Sequence, residues 1–209
     1  MSSKRDRQRL AQQWLKHKGK YKGKIDGIWG RKSESAFQAL TPKPSSSTVK
    51  PPASDFYSVS RVFGKPGDES NLVRFTFPYP MKLAWDTTKT VKTSRCHKLI
   101  KKPLVAALQK LLDTYGIKWI RKHGLDLFGG IYNDRKVRGG NATSKHAWGI
   151  AIDLNPEDNG LRTPWKSGKQ GYEGYATMPH AAIQIFEKHG FKSGAKAWGR
   201  DAMHFQFTL

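Results

Sequence analysis

At 209 residues, with 37% hydrophobic content and seven Trp, the chain is long enough for one full domain plus a small one, and its composition excludes a disordered polymer. A net charge of +22, from 38 Lys and Arg against 16 Asp and Glu, implies an anionic partner or environment: nucleic acid, anionic lipid or an acidic wall polymer. The single Cys96 excludes an intramolecular disulfide and a multi-cysteine zinc site, so any metal has to be held by His and carboxylates, and no apolar stretch approaches the roughly 20 residues of a membrane span.

The first helix is expected from near Lys4 to about Lys18, with Leu10, Trp14 and Leu15 at helical spacing and Gly19 as its stop. A turn-rich stretch follows, Tyr21-Lys22-Gly23-Lys24-Ile25-Asp26-Gly27-Ile28-Trp29-Gly30. A second helix over residues 33–40 then packs Ala36, Phe37 and Leu40 back on the first. This Tyr-x-Gly-x-Ile-Asp-Gly-Ile-x-Gly pattern before a short helix resembles the small helical peptidoglycan-binding domain. The resemblance covers residues 1–40 and implies wall contacts at Tyr21, Asp26, Trp29 and Arg31. The same aromatics also suit the core of a very small domain, and Asp26 suits a turn.

Residues 41–55 are a linker by composition, stiffened by Pro and loosened by Ser. Both flanking units are basic: residues 1–55 hold 13 Lys and Arg against 4 Asp and Glu, leaving 25 against 12 for the remainder. The second domain, 56–209, opens with strand-like pieces at 56–63 and 72–77 around the turn Gly64-Lys65-Pro66-Gly67-Asp68. Its clearest helix spans Lys101 to Tyr115, with Leu104, Val105, Leu108, Leu111, Leu112 and Tyr115 on one face and Gly116 as the stop. A strand at 127–132, a basic loop at 133–140, a second strand ending in Asp153, a long surface loop at 155–178, a helix at 179–189 and a closing strand complete the order. Helices and mostly antiparallel strands without a βαβ repeat make this an α+β fold: a small amino-terminal helical domain, a linker, and a mixed domain whose sheet is packed by helices.

The chemistry concentrates in Ser144-Lys145-His146-Ala147-Trp148-Gly149-Ile150-Ala151-Ile152-Asp153. As a strand this run points Ile150, Ile152 and Leu154 one way and Gly149, Ala151 and Asp153 the other. Both faces look covered, and an ionised carboxylate there costs several kcal/mol unless a partner compensates it. A divalent metal is the strongest such partner. His146 lies just upstream, and His204 lies in the closing strand, where Met203, Phe205 and Phe207 alternate with His204 and Gln206. Two His and one Asp leave a fourth position open, which suits a metal that polarises a carbonyl. Zinc is the expected ion, with cobalt or manganese compatible with the same residue types. Asp201 falls in the turn before the closing strand and is the candidate base. A buried polar network is the competing structural account of the three ligands. For His17, His97, His123, His180 and His189 no partner stands at a telling spacing.

Ser144-x-His146-x-x-Gly149-x-Ala151-x-Asp153 with the distal Asp201-x-Met203-His204-Phe205 resembles the M15 family of zinc peptidases. Tyr132-Asn133-x-Arg135-x-x-Arg138-Gly139 extends the likeness toward the phage-endolysin branch, and the match runs over residues 60–209. That family includes D-alanyl-D-alanine carboxypeptidases and dipeptidases and L-alanyl-D-glutamate endopeptidases. The resemblance implies Zn2+ on His146, Asp153 and His204, with Asp201 as general acid/base where many members carry Glu. It further implies substrate contacts from Arg138 or Arg135 and from Ser144. By the same likeness the protein is an endolysin that acts as a monomer on bacterial peptidoglycan, with electrostatic contact to an anionic outer membrane as an added route. Charges throughout the first thirty residues replace a signal-peptide apolar region, so accumulation in the host cytoplasm and later release to the wall are expected. The alternatives are a D-Ala-D-Ala carboxypeptidase and a basic nucleic-acid- or wall-binding protein without catalysis. The nucleic-acid reading leaves Asp153 without an explanation, and no nucleic-acid partner is expected.

Overall fold

The computed structural model describes residues 4–40 and 49–209, in two compact units, 1–48 and 49–209. In the first unit, α1 (Lys4–His17) and α2 (Arg31–Leu40) enclose a small core of Leu15, Tyr21 and Ala36, with Trp29 packed against it. Gly19 ends the first helix at φ 69°, and Lys20 N–H donates back to Leu15 O (3.1 Å). The polar centre of this unit is Gln12, which is fully buried. Its Oε1 accepts from Gly27 N–H, and its Nε2 lies 2.9 Å from Ile28 O and 3.0 Å from Asp26 Oδ1. The side chains of Leu10, Phe37 and Leu40, expected in this core, lie outside the described residues, as do linker positions 41–48.

In the second unit, residues 49–55, expected as linker, lie against the body: Val49 packs on the main core, and Leu209 N–H donates to Pro52 O (2.8 Å). The segment Phe56–Phe63 is a helix, α3, where a strand was expected. Its Asp55 cap accepts from Ser58 N–H, and Val59 and Phe63 are buried four residues apart, so helical rather than alternating spacing fills the core. A long hairpin follows, β1 (Leu72–Leu83) and β2 (Asp86–His97). Next comes α4 (Lys101–Lys122), broken at Gly116, whose φ of 74° ends the regular helix where the sequence placed its stop. Then follow β3 (Leu127–Gly130), β4 (Ala151–Leu154), α5 (His180–Lys188), β5 (Lys192–Ser193), α6 (Gly194–Trp198) and β6 (His204–Gln206).

The six strands are ordered β2-β1-β3-β4-β6-β5, antiparallel except for β1 beside β3. Phe75, Phe77, Tyr79 and Met81 alternate toward α4, which returns Leu104, Leu108 and Leu111 to the same core. On the β6 side, Phe186 of α5 stacks on Phe205 at 4.2 Å between centroids. All four residues of β4 are buried, so the central strand is covered on both faces. Cys96 is buried, its thiol pushed up to about 12 by desolvation, and His97 is satisfied by Phe63 O and Leu99 N–H. These two side chains therefore serve the core.

Candidate metal centre

Three elements bring His146, Asp153 and His204 together. Ser144 caps a 3-10 turn at Lys145–Trp148 by accepting from His146 N–H (3.3 Å). Gly149 ends that turn at φ 67°, ψ 29°, where a Cβ would sit 2.7 Å from Leu72 Cδ2 and 3.2 Å from His97 N, so glycine lets the chain pass without strain from the His146 turn into β4. Asp153 and His204 are direct partners across β4 and β6, and Gly130 is the partner of Asp153 on the other side.

The donor atoms converge at close, even spacing. His204 Nδ1 lies 3.0 Å from Asp153 Oδ1, His146 Nε2 3.3 Å from Asp153 Oδ2, and the two imidazole nitrogens are 3.2 Å apart. A tetrahedron with zinc-ligand bonds of about 2.0–2.1 Å has edges of about 3.3–3.4 Å, so these contacts, which use both carboxylate oxygens, are close to the ligand–ligand spacings of such a site. The outer nitrogens decide the tautomers. His146 Nδ1 must donate to the Ile131 carbonyl (2.8 Å), which leaves Nε2 with a lone pair. His204 Nε2 lies 3.2 Å from Gln206 Oε1, placed to donate to it, and Gln206 Nε2 donates in turn to Thr208 Oγ1 (2.6 Å). With both rings neutral in this tautomer, two lone pairs and a carboxylate point at one another, an arrangement that a proton or a metal ion among them relieves.

The electrostatics favour a positive charge among the three groups. Burial opposes the charge of Asp153, but the His146 and His204 rings outweigh it and hold this carboxyl far below the usual range. Burial likewise opposes a charge on His204, and the Asp153 carboxylate overcomes it, raising the imidazole above its ordinary 6.5. A proton on His204 is therefore the competitor of a metal ion for the same lone pair.

Asp201 sits in the turn before β6 at φ 54°, a left-handed conformation that Asp tolerates better than most residues. It is buried, and its Oδ1 has no hydrogen-bond partner among the described residues. Burial raises its carboxyl pKa, with His204 pulling it down and Asp153 pushing it up. The turn is crowded: a Cβ at Gly194 would collide with the Asp201 carbonyl oxygen, and Met203 N–H is tied to Asn159 O (3.0 Å). Asn159 also accepts from Met178 N–H (2.7 Å) and is fully buried, so the segment expected as a surface loop braces the turn that carries Asp201 and leads to His204.

The three candidate ligands and Asp201 line a cleft of about 790 Å³, shared by Arg135, Arg138 and Ser144. Arg138 is exposed, and Arg135 is half-buried and donates to Lys136 O (3.0 Å). A third cleft arginine, Arg200, escaped the sequence reading, as did Ile131, Gln206 and Thr208 around the ligands. For Gln206 the signal was present, since it shares the strand face of His204.

The wall-contact candidates of the first unit are divided. Tyr21 is 7% exposed and its hydroxyl donates to Lys24 O (2.9 Å), so its ring belongs to the core rather than to a binding face. Asp26 Oδ1 accepts from Ile28 N–H (2.9 Å) and holds the loop, which commits it to the turn. Trp29 is partly buried and Arg31 is exposed at the start of α2, while Trp14 and Ile28 add exposed apolar surface.

Residues 138–207, about a third of the chain, match the M15 peptidase family model described as D-alanyl-D-alanine carboxypeptidase. That span contains His146, Asp153, Asp201, His204 and Arg138. No curated protein and no solved structure matches the chain.

Proposed function

We propose that the second unit is a zinc-dependent peptidase of peptidoglycan that cuts the stem peptide between L-alanine and D-glutamate, and that the protein is an endolysin. The observation that carries this reading is the convergence of His146 Nε2, the Asp153 carboxylate and His204 Nδ1 at 3.0–3.3 Å, with His146 Nδ1 committed as a donor to Ile131 O. With both rings neutral and their outer nitrogens donating, both inner nitrogens keep a lone pair for a cation. Zinc held there would supply Lewis-acid polarisation of the scissile carbonyl and ease the deprotonation of water.

The protein's own groups fit the remaining steps. Asp201, with a raised pKa and an unsatisfied oxygen in the same cleft, is suited to take a proton from the attacking water. The water oxygen bonds to the carbonyl carbon, the C–N bond breaks, and the proton held by Asp201 goes to the leaving nitrogen. Arg135 and Arg138 match the carboxylates of a stem peptide. The net charge of +22 suits an anionic wall, and the first unit, through Trp29, Arg31, Trp14 and Ile28, is proposed to hold the protein there. Synthesis in the host cytoplasm and release through a separately formed membrane lesion complete the proposal.

The family match favours a second reading, a D-Ala-D-Ala carboxypeptidase. Mass spectrometry of digested muropeptides separates the two: new amino-terminal D-glutamate supports the endopeptidase, and released D-alanine supports the carboxypeptidase. His146→Ala is expected to abolish hydrolysis while wall binding persists, and undiminished hydrolysis would refute the zinc-peptidase reading.

A further inference from the structure

Trp85 is a large aromatic side chain, 69% exposed, held on a stiff mount beside the metal centre. It occupies the tip of the β1–β2 hairpin, where Leu83 pairs with Asp86 and leaves Ala84 and Trp85 as the two turn residues. The tip is fastened twice. Ala84 N–H donates to Phe128 O on β3 (3.0 Å), and Asp86 is bound by Thr88 Oγ and by Lys89 Nζ (2.9 Å). The parallel register ends at Leu83↔Phe128, two residues before Gly130, the partner of Asp153, so the hairpin tip sits at the Asp153 end of β3. Trp85 lines the same cleft as the three candidate ligands.

The sheet order fixes the sides. From β1, which ends at Leu83 just before the turn that carries Trp85, the sheet passes through β3 to β4 with Asp153 and to β6 with His204. Two strand spacings of about 4.8 Å put Trp85 roughly 10 Å from the Asp153 strand. Trp198 stands on the opposite side, its ring 5.8 Å from that of His204, and meets whatever flanks the reacting bond directly. A peptide laid across the strands therefore has its scissile bond at the ligands and a group about 10 Å away on Trp85.

From this placement we infer that Trp85 is a stacking platform for the N-acetylmuramoyl sugar that carries the stem peptide, and that it directs the enzyme to peptide still attached to glycan. The inference rests on the peptidoglycan-peptidase reading above and deepens it. A stem peptide of small and charged residues has no broad apolar side chain to cover a tryptophan, whereas the CH face of a pyranose does. The spacing agrees with cleavage next to the sugar. One extended residue of about 3.5 Å and a lactyl bridge of similar length place the near edge of the ring about 7 Å from an L-alanyl carbonyl and its far edge a few ångström beyond, while a D-Ala-D-Ala bond lies more than about 15 Å from it.

The test compares kcat/KM of zinc-loaded full-length protein on an N-acetylmuramoyl tetrapeptide and on the same tetrapeptide without sugar, for wild type, Trp85→Ala and Trp85→Phe. Wild type is expected to prefer the sugar-bearing substrate. Trp85→Ala should lower that preference roughly three- to tenfold, chiefly through KM, and Trp85→Phe should restore part of it. Equal activity of wild type on both substrates, or a preference unchanged in Trp85→Ala, overturns the assignment and leaves the peptidase reading standing. Cleavage of neither substrate by wild type overturns both.

Discussion

Replacing Gln206 by Leu removes the one contact that tells His204 which nitrogen to present. With Gln206 in place, Nε2–H is held by Oε1 at 3.2 Å and Nδ1 keeps its lone pair for a metal. Without it, a buried N–H loses its acceptor, at a cost of about 1–3 kcal/mol. The neutral ring relieves that loss by moving its proton to Nδ1, where Asp153 Oδ1 waits at 3.0 Å. Zinc must then displace a hydrogen-bonded proton before it binds. Loss of such an outer contact weakens metal affinity by about 10- to 100-fold, or about 1.4–2.7 kcal/mol. Thr208→Val should give a smaller loss, because it frees the Gln206 amide to flip instead of deleting it. The measurement is zinc affinity by competition with a chromophoric chelator at fixed pH, with circular dichroism to verify folding. A Gln206→Leu protein that is folded and binds zinc within threefold of wild type would refute the tautomer argument.

Asp201→Asn keeps the shape of the turn but cannot carry the proton, so kcat should fall by about 10²- to 10⁴-fold while zinc affinity stays within a few-fold; a parallel loss of zinc would move Asp201 from base to ligand support. Metal-free protein should be most stable to heat between about pH 4 and pH 6.5. Asp153, with a folded pKa below its ordinary 3.8, contributes stability above that value and loses it as pH falls further. His204, with a folded pKa above 6.5, contributes below 6.5 and loses its contribution as pH rises through the raised value. Thermal melts in chelator across pH 3–9 test this, and a melting temperature that keeps climbing above pH 7 would contradict the His204 assignment.

Two of the three candidate metal ligands stand out in the sequence because each breaks a strong local pattern. Asp153 ends an apolar run, and His204 interrupts the alternation of Met203, Phe205 and Phe207, so the polar residue is conspicuous against a face that must be buried. Elements without such contrast were misread or passed over. β2 is an edge strand, with Thr87, Thr88, Lys89, Thr90 and Lys92 in water, and edge strands need no apolar run. In α3, Phe56, Val59 and Phe63 suit a helix while the aromatic and β-branched residues suit a strand; the deciding signal was Asp55 at the cap. Asn159 reads locally as a turn residue, and only the fold brings its side chain to Met178 and its carbonyl to Met203.

The same contrast explains why the ligands were easier to find than the groups that make them work. On β6 and its continuation, the ligand, its orienting acceptor and the anchor of that acceptor are His204, Gln206 and Thr208, spaced two residues apart along a single stripe. Their hydrophobic complement, Phe205 and Phe207, faces Phe186 and Phe191 in the core. A one-residue slip of β6 would exchange these sets, burying the polar stripe against aromatics and withdrawing the ligand. Core packing and the convergence of His204 on Asp153 thus demand the same register. His146 lacks that protection, since its position depends on a short capped turn closed by Gly149 and on one bond to Ile131 O. Substitution at Gly149 should therefore cost zinc affinity before it costs the fold of the sheet.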